Sequence, residues 1–358
     1  MPDACVFLGC CIEYKTKHRI SAHCIAKQMI FVSTFMYVLY ASTAFAISSS
    51  IKSAPSSGMS YTTVIDAGST GTRLEVYGFV GQEIRHQGLF TNTPGIADMK
   101  EDSQIKQSVT ELLMHAEPFY NDIKTMPMGF YGTAGFRALG APRTDHILEL
   151  VRNELSGYNL KEAKVVSGEE EGRLALMSLI ISSKEIGNSS NKTVGVIDMG
   201  GGSTQVSVLK NNGEISSESI SLGITAISNA HDMEDCAISS QEKQESCAQK
   251  IITKLLSVQS KPILNDIDDL YLLSYFHDEF AKIVRSTETN MREIKDQFYK
   301  KCSLLETTDC RNIFYLISFI NALGINDLKS IKKIDTNNGI NISWASAKGY
   351  ELNKIHNK

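Results

Sequence analysis

The sequence predicts an α/β fold made of two similar lobes, because one short pattern occurs twice in the chain of 358 residues. The stretch VIDAGSTGTRLEVY begins at Val64, and VIDMGGGSTQVSVL begins 132 positions later at Val196. Each stretch has a β-branched run typical of a strand, then one Asp, then a turn rich in Gly and hydroxyl side chains, then a second strand. Segments with helical spacing of apolar residues follow each copy. Strand pairs that alternate with helices, present twice, predict two related lobes that each contain a sheet.

The first lobe is expected over residues 61–163, completed by a C-terminal helix at 344–358 that returns to it. Its predicted order is three strands, a helix, a buried strand that enters a Gly turn, and a second helix capped by Thr144 or Asp145. These elements correspond in order to TTVIDAG, RLEVYGFV, EIRHQGLF, SQIKQSVTELLMHAEPFY, MGFYGTAGFR and RTDHILELVRNEL.

The second lobe is expected over residues 164–343. It opens on AKVVSGEEEGRLALMSLIISSKE, which predicts a strand, a tight turn and a long helix. The repeated hairpin follows as TVGVIDMGGGSTQVSVLKNNGEI, in which NNGE predicts the hairpin turn. Residues 231–310 are charged, contain cysteine and are mostly helical in pattern.

The first 46 residues are predicted to lie outside the fold. Several basic residues precede the apolar run MIFVSTFMYVLYASTAFA, which ends in Ala-Phe-Ala at residue 46. This pattern is typical of a signal peptide cleaved after Ala46, and it predicts a secreted or periplasmic protein. The alternative is an uncleaved membrane anchor, and translation can start at Met1 or at Met29. The Ser-rich residues 47–60 predict a linker.

The cysteines indicate disulfide bonds in the exported chain. Cleavage after residue 46 removes four of the eight cysteines and leaves Cys236, Cys247, Cys302 and Cys310. An even number in an exported protein favours two disulfides. Pairing of nearest neighbours, Cys236 with Cys247 and Cys302 with Cys310, is the simplest of the three possible connectivities.

The overall composition is that of an ordinary soluble globular protein. Hydrophobic residues make up 42% and charged residues 21%, with a net charge of -4 and a pI near 6.1. No basic block stands out, so the charge gives no reason to expect a nucleic-acid partner. The eight histidines are scattered, and no CxxC or His-rich spacing supports a zinc site.

The two Gly-rich turns are candidates for binding successive phosphates of one substrate. Glycine lets backbone N–H groups converge on phosphate oxygens, and hydroxyl side chains add donors. Asp66 and Asp198 each precede a turn and would aim carboxylates at one point, where a hydrated Mg²⁺, Mn²⁺ or Ca²⁺ fits. A single such turn is more simply a plain hairpin, but two matched copies favour phosphate binding. The expected phosphate ligands are Ser69, Thr70, Gly71, Thr72, Gly201, Gly202, Ser203 and Thr204.

The segment SGEEEGRLA supplies a candidate general base. Three consecutive carboxylates before a glycine are also typical of a solvated helix N-terminus, where the helix dipole favours them. At a strand end between two phosphate turns, one Glu can instead accept a proton from an attacking water. Glu171 is the candidate, and Gln205 can orient the water. In GTAGFR, Thr133 is a candidate outer-shell metal partner and Arg137 a candidate phosphate ligand, as is Arg73 in the first turn.

These motifs together resemble those of the secreted and cell-surface apyrases, the nucleoside triphosphate diphosphohydrolases. DAGSTGTR, GTAGFR, SGEEEG and DMGGGSTQ match the family's blocks in order, and LLSYFHDEF and ISWASAKGY match less closely. The resemblance implies an actin-like (ribonuclease H-like) fold of two lobes with the active site in the cleft between them. It implies cation-dependent hydrolysis of terminal phosphates from nucleoside tri- and diphosphates such as ATP, ADP, GTP, GDP or UDP.

The resemblance also implies roles for individual residues. Asp66 and Asp198 would hold the cation through water, and Thr133 would support that shell. Glu171, rather than Glu169 or Glu170, would be the base. Ser203 and Gln205 would position the water.

Two departures from the family pattern concern substrate choice. Gly71 and Arg73 match the soluble members of the family, whereas the cell-surface members have His and a small residue at these positions. The fifth block has no tyrosine at His277 or Asp278 to stack on a nucleobase. Three other aromatic residues are candidates for a nucleobase clamp, with core packing as the alternative for each: Tyr275, Phe276 and Trp344.

Other functions remain open. The exopolyphosphatase and guanosine pentaphosphate phosphatase family has a similar fold, with SGEEEA and GGGSTE where this chain has Gly172 and Gln205. A non-catalytic, nucleotide-gated binding module with actin-like lobes is a second alternative. A sugar kinase is a third, but the sequence offers no base for an acceptor sugar.

Overall fold

The computed structural model describes residues 48–51, 58–81, 83–183, 186, 192–225, 264, 267–337 and 340–356. The predicted signal peptide at 1–46, half of the predicted linker at 47–60, Cys236 and Cys247 lie outside these ranges. Ser48–Ile51, inside that predicted linker, is a strand paired with Glu83–Asn92, so the linker prediction is wrong for these four residues. None of the helices in the described ranges combines the length and the apolar content that crossing a membrane requires.

The first sheet has six strands, which are β1 Ser48–Ile51, β2 Ser60–Ala67, β3 Thr72–Val80, β4 Glu83–Asn92, β5 Met128–Gly132 and β6 Leu160–Val165. Their order in the sheet is β1-β4-β3-β2-β5-β6. The neighbouring pairs β1–β4, β4–β3 and β3–β2 are antiparallel, whereas β5 and β6 are parallel to β2. Strands β2, β3 and β4 are therefore joined as antiparallel hairpins, and two parallel strands, β5 and β6, follow them, as the alternation of strands and helices predicts.

The second sheet repeats this arrangement with β7 Val194–Met199, β8 Thr204–Leu209, β9 Ile215–Ile220, β10 Asp269–Ser274, β11 Glu288–Asn290 and β12 Ser330–Lys333. The order is β11-β12-β10-β7-β8-β9. Strands β7, β8 and β9 form an antiparallel meander, and β10 and β12 are parallel to β7. The tight turn predicted at NNGE joins β8 to β9, with Gly213 at φ +82°. The predicted fold class, α/β with an internal repeat, is confirmed. Two short strands pair separately, β13 Thr336–Asn337 with β14 Ile340–Asn341.

Eight α-helices lie wholly within the described ranges. They are α1 Asp102–Ala116, α2 Ala134–Leu139, α3 Ala141–Glu154, α4 Gly168–Ser182, α5 Tyr275–Ile283, α6 Met291–Lys301, α7 Thr307–Ala322 and α8 Trp344–His356. Two short 3-10 helices occupy Ile96–Asp98 and Cys302–Leu304.

The predicted cap of α3 at Thr144 or Asp145 is wrong. The helix begins one turn earlier, after Gly140, because proline is well placed in a first turn, where its missing N–H is not needed, and Pro142 lies there. Thr144 is buried, and its hydroxyl donates to the carbonyl of Phe136 over 3.1 Å.

Helices α4 and α8 pack together and form much of the core shared by the two sheets. The buried side chains of this core come from both sheets and both helices, including Val64, Leu174, Val196 and Leu352. Helix α8 also lies against β2, where the Thr62 hydroxyl donates to the carbonyl of Gly349 over 3.2 Å. Strand β6 of the first sheet runs to Val165, so the expected division between lobes at residues 163 and 164 falls inside a strand.

One predicted disulfide lies within the described ranges and is confirmed. Cys302 and Cys310 are bonded, and they connect the 3-10 helix after α6 to the first turn of α7. The prediction for Cys236 and Cys247 falls on residues outside the described part of the chain.

Candidate active site

The two repeated turns have the same backbone hydrogen bond. In the first, the N–H of Gly68 donates to the carbonyl of Gly71 over 2.9 Å; in the second, the N–H of Gly200 donates to the carbonyl of Ser203 over 2.9 Å. Each bond closes a tight four-residue turn between antiparallel strands. The repeat in sequence is therefore also a repeat in backbone structure.

Each turn places one aspartate at the carboxyl end of a central strand. Asp66 of β2 lies opposite Arg73 of β3, and Asp198 of β7 lies opposite Gln205 of β8. Both β2 and β7 have parallel neighbours, and α/β proteins bind ligands beyond the carboxyl ends of such strands. In each of the two sheets, the aspartate therefore lies at the carboxyl-terminal edge, where a ligand site is expected.

The two turns lie in direct contact with each other. A Cβ atom added to Gly201 of the second turn would lie 2.7 Å from Ser69 Oγ and 2.7 Å from Thr70 Cγ2 of the first turn. A Cβ atom on Gly202 would lie 2.9 Å from Ala134 Cβ at the start of α2. Glycine is needed at both positions because of this close approach. The backbones of the two turns therefore meet at one site.

Asp66 is a buried carboxylate that is poorly compensated by its surroundings. Its Oδ1 is buried and has no hydrogen-bond partner among the described residues, and Arg73 Nη1 lies 3.5 Å from Oδ2. Burial raises the pKa of Asp66 to about 7, and the negative charges of Glu75 and Asp198 act in the same direction, against the cation of Arg73. An orphaned carboxylate oxygen beside like charges is a group that a hydrated cation would fit.

Asp198 is also buried, and its Oδ1 accepts a hydrogen bond of 2.6 Å from the hydroxyl of Ser274. Burial raises the pKa of Asp198, and the Ser274 hydrogen bond opposes that rise. Only one oxygen of the carboxylate has this partner, which leaves Oδ2 for another ligand.

The donor set fits a hard cation held through water. Two carboxylates with oxygen atoms to spare suit Mg²⁺, Mn²⁺ or Ca²⁺, which keep several waters when one or two carboxylates hold them. Within the described ranges, no three His, Cys, Asp or Glu side chains gather closely enough to hold a metal directly. Thr133, also buried, is the N-cap residue just before α2. Its N–H and its hydroxyl donate to the carbonyl of Ala67 over 3.2 Å and 3.4 Å. The residues present therefore fit a hydrated ion better than a fully protein-bound one.

Arg137 joins the candidate base to the second turn. Its Nη1 donates to Glu171 Oε2 over 2.9 Å and to the carbonyl of Val166 over 2.9 Å, and its Nη2 donates to Ser203 Oγ over 2.9 Å. Helix α2 carries this arginine, whereas Glu171 lies in the first turn of α4. The guanidinium thus fixes Oε2 of the carboxylate and leaves Oε1 to accept a proton from water.

Ser203 is oriented by two donors. Its oxygen accepts from Arg137 Nη2 and also from Gln205 Nε2 over 2.8 Å. A hydroxyl has two acceptor sites and one donor, so its proton must be directed away from both of these groups. Gln205 Nε2 also donates to Ser219 over 3.1 Å, so its carbonyl oxygen is the group left to bind water. A water can therefore accept from Ser203 while it donates to Glu171 or Gln205.

Glu171 has an ionisation suited to a general base. Burial raises its pKa to about 7, Arg137 opposes the rise, and the charges of Asp66 and Asp198 add to it. These electrostatic effects require the three carboxylates to lie close to one another. A carboxylate with a pKa near neutrality accepts a proton more readily than an ordinary exposed Glu.

Residues 53–241, slightly more than half of the chain, match the GDA1/CD39 (nucleoside phosphatase) family. The chain belongs to this family. It is 34% identical over 164 residues to a nucleoside-triphosphatase from Pisum sativum, covering 41% of this chain and 35% of that protein. It is 32% identical over 169 residues to probable apyrase 5 from Arabidopsis thaliana, covering 42% and 34%. The alignments span about a third of the length of these relatives.

Solved structures agree on the fold of this family member. A Ppx/GppA protein family member from Aquifex aeolicus has a TM-score of 0.62 with 17% identity, covering 84% of this chain and 98% of that chain. Nucleoside triphosphate hydrolases from Neospora caninum have a TM-score of 0.53 with 10% identity, covering 92% and 97%. At these identities the likeness shows the fold alone, which is the actin-like α/β fold expected from the motifs.

The hydroxyls of two predicted phosphate ligands form hydrogen bonds inside the protein instead of facing the site. Thr72 is fully buried, and its hydroxyl accepts from the N–H of Ile96 over 3.1 Å. Thr204, its counterpart in the repeat, is also fully buried and donates to the carbonyl of Leu222 over 2.6 Å. The prediction that these hydroxyls bind phosphate is wrong, because the first position of each second strand points into the protein. Ser69 and Thr70 are half-buried in the first turn, and Ser203 remains at the site.

Two of the predicted nucleobase contacts are corrected as well. Phe276 is completely buried among the side chains of the second sheet's core, and Trp344 is buried edge-on against Tyr131. Neither ring has a face available for stacking on a base, so the alternative of core packing applies to both. Tyr275 is partly buried against the same core, and a nucleobase contact there stays a prediction.

Sequence reasoning missed Ser274 at this site. Its place depends on the parallel pairing of β10 with β7, which sets Leu273 beside Asp198 and Ser274 beside Met199. Asp198 and Ser274 are 76 positions apart in the chain, and no local pattern indicates that their strands are neighbours. The only signal is that the serine lies at a junction of strand and helix within the weakly matching block LLSYFHDEF.

Gly172, next to the candidate base, is expected to be sensitive to a single methyl group. A Cβ atom there would lie 2.3 Å from Ser217 Oγ and 2.6 Å from Ser207 Oγ, so Gly172→Ala should destabilise the protein by about 1–3 kcal/mol through overpacking. Without the clash, alanine inside a helix would stabilise it by about 1 kcal/mol. Thermal unfolding measures the effect.

The matched control for that experiment is Gly157→Ala, because nothing lies within 4 Å of its added Cβ. Removal of the two hydroxyls, by Ser207→Ala and Ser217→Ala in the Gly172→Ala background, should recover part of the loss. A Gly172→Ala protein more stable than wild type would mean that α4 does not approach β8 and β9 this closely.

Proposed function

We propose that this chain hydrolyses terminal phosphates of nucleoside tri- or diphosphates in a reaction that depends on a divalent cation, the activity of an apyrase. The observation that carries the proposal is the set of bonds joining Arg137 to Glu171 and Ser203 beside two contacting Gly-rich turns. A buried base with a pKa near 7, a hydroxyl with its proton free and a pair of carboxylates form the parts that hydrolysis of a phosphoanhydride needs. Membership of the nucleoside phosphatase family supports the substrate class.

In the proposed reaction, a water bound between Glu171 and Ser203 attacks the terminal phosphorus. Glu171 Oε1 accepts one proton as the new P–O bond forms, and the bridging P–O bond breaks, so a nucleotide shorter by one phosphate leaves together with phosphate. Gln205 accepts a hydrogen bond from the same water and so fixes its direction of attack. When bound, a cation held through water by Asp66 and Asp198 would neutralise negative charge on the phosphate oxygens.

The two turns are proposed to hold the phosphates from opposite sides. Backbone N–H groups of the turns act as donors to phosphate oxygens without needing long side chains. The proposed ligands are Ser69, Thr70 and Gly71 of the first turn and Gly201, Gly202 and Ser203 of the second. Arg73, about a third exposed and next to Asp66, is the side-chain cation proposed for the phosphate.

The proposed function is tested by a phosphate-release panel over ATP, ADP, GTP, GDP, UDP and long-chain polyphosphate. We expect release from nucleotides, loss of activity in EDTA, and recovery on addition of excess Mg²⁺, Mn²⁺ or Ca²⁺. Polyphosphate as the only substrate would instead support an exopolyphosphatase. Release that stops after one turnover per chain would support a nucleotide-gated binding module, and activity unchanged in EDTA would contradict the cation requirement.

The pH dependence of activity should report the ionisation of Glu171. Since the base acts deprotonated and burial raises its pKa, kcat/KM should rise with pH and level off above the pKa of Glu171. A bound cation offsets the charges of Asp66 and Asp198, so this limb should lie below the value of about 7 that the pKa of Glu171 has in the cation-free site. Arg137→Met removes the cation that stabilises the carboxylate, so this limb should move to higher pH. The measurement is a pH profile at saturating free Mg²⁺. Arg85→Met, which removes an exposed arginine paired with Glu83, is the control and should leave the profile unchanged. An acid limb that stays at the same pH in Arg137→Met would contradict the assignment.

Export of the mature protein is also proposed. The basic lead, apolar run and Ala-Phe-Ala end of residues 1–46 support removal of this segment after Ala46. N-terminal sequencing of the protein recovered from outside the producing cells should begin at Ile47, and a start at residue 1 or 29 would contradict cleavage.

A further inference from the structure

Ser274 has an unusual backbone conformation at the junction of β10 and α5. Its φ is 53° and its ψ is -125°, and it is the one residue other than glycine with positive φ within the described ranges. Residues with a Cβ atom rarely adopt this region of φ and ψ because it strains the backbone. The strain persists where the surrounding structure holds the residue in place. Glycine would adopt the same conformation with little cost, yet the chain has serine here.

The hydroxyl of Ser274 makes the contact that glycine could not make. It donates to Asp198 Oδ1 over 2.6 Å, the short distance typical of a hydrogen bond from a hydroxyl to a carboxylate. Parallel pairing of β10 with β7 places Ser274 one position beyond the neighbour of Asp198, so the strained turn brings the hydroxyl back over that carboxylate. The strain and the hydrogen bond thus occur in the same residue, at the site itself.

The two aspartates of the site differ in how they are held. Asp66 has an arginine 3.5 Å from Oδ2, whereas its Oδ1 has no hydrogen-bond partner in the part of the chain that the structure describes. Among the residues that the structure describes, no cationic side chain is paired with Asp198, and the Ser274 hydroxyl orients its carboxylate instead. A carboxylate that binds a hydrated ion through a water must keep a fixed orientation, because a rotation of its plane moves the accepting oxygen.

We propose that Ser274 is a positioning residue, which fixes Oδ1 of Asp198 so that Oδ2 is presented to the hydrated divalent cation. The proposal rests on the proposed function for the role of that cation in hydrolysis, but it concerns cation binding itself. Ser274 acts through Asp198 and need not touch the substrate.

Mn²⁺ binding to the purified full chain, followed by electron paramagnetic resonance, tests the proposal without relying on activity. Titrations are made with Mn²⁺ alone and with Mn²⁺ plus a non-hydrolysable ATP analogue. Partners that orient metal ligands typically contribute 10–100-fold in affinity, so Ser274→Ala and Ser274→Gly should each weaken binding about tenfold, the low end for an ion held through water. Ser286→Ala is the control, because this exposed serine of the same lobe donates to the backbone carbonyl of Glu288, and the variant should bind Mn²⁺ as wild type does.

Thermal unfolding separates positioning from a general structural role. Ser274→Gly relieves the positive φ, so its Tm should equal or exceed that of Ser274→Ala although both have lost the hydroxyl. Weaker Mn²⁺ binding without loss of Tm in the glycine variant therefore supports positioning. In the Asp198→Asn background, Ser274→Ala should cause no further loss of Mn²⁺ affinity.

The outcomes distinguish this proposal from the proposed function. Wild-type affinity for Mn²⁺ in both Ser274 variants overturns the proposal even if the protein hydrolyses nucleotides. Absence of Mn²⁺ binding by the wild-type chain in both titrations also overturns it. Serine-dependent Mn²⁺ binding by a protein that releases no phosphate from any nucleotide sustains the proposal and contradicts the proposed function.

Discussion

Glu171→Gln should lower kcat by about 10²–10⁴-fold, the usual contribution of a general base, while the affinity for nucleotide stays near that of wild type. The substitution keeps the size of the side chain and an oxygen that can still accept from Arg137, but glutamine cannot accept the proton of the attacking water. Steady-state phosphate release measures kcat, and equilibrium binding of a non-hydrolysable nucleotide measures affinity.

The matched control is Glu169→Gln, which neutralises an exposed carboxylate in the same turn of α4, two residues away. It should keep wild-type kcat, because its side chain lies outside the network of Arg137 and Ser203. If Glu171→Gln kept a kcat within a few-fold of wild type, another group would have to be the base. If Glu169→Gln lost as much activity as Glu171→Gln, the effect would belong to the charge of the helix N-terminus.

Asp66→Asn and Asp198→Asn should each raise the cation concentration needed for half-maximal activity by about 10–100-fold. Each substitution removes one of two negative charges that the cation would neutralise, and a neutral amide offers a weaker acceptor to its water shell. The measurement is the dependence of phosphate release on free Mg²⁺ at a fixed nucleotide concentration.

The same variants should be no less stable than wild type. Burial raises the pKa of each carboxylate, to about 7 for Asp66. Ionisation above a group's own raised pKa therefore opposes folding, and a neutral side chain removes this cost. Thermal unfolding above pH 7 without cation checks the sign. Asp145→Asn, at an exposed position of α3, is the control for loss of a charge. A loss of activity accompanied by a large loss of Tm would indicate structural aspartates rather than cation anchors.

The fold followed from the sequence because its signals are local. Each hairpin has its β-branched runs and its Asp-Gly turn within 14 residues, and the same signals occur again 132 positions later. The register that sets Asp66 opposite Arg73 and Asp198 opposite Gln205 is fixed by those turns. The matching of the two turns also predicted that they meet at one substrate, and the family resemblance implied the same cleft between two lobes.

The remaining features of the site depend on pairings between distant segments. Thr72 and Thr204 resemble phosphate ligands in sequence, but the pleat of each second strand turns their hydroxyls inward, to Ile96 and Leu222. Arg137 was expected at the phosphate, whereas its three hydrogen bonds go to Val166, Glu171 and Ser203, a network assembled from α2, α4 and the second turn. Direct contact of Arg137 with phosphate stays a prediction.

The core of the account is that Asp66 and Asp198 share one hydrated cation between the two turns. A crystal structure of the full chain with Mn²⁺ and a non-hydrolysable ATP analogue, with anomalous diffraction data at the manganese edge, tests it most directly. The account predicts a single anomalous peak between the two carboxylates, about 4 Å from an oxygen of each, the distance that one intervening water gives. A manganese ion bound by one aspartate alone, or a nucleotide whose phosphates lie away from the two turns, would contradict it.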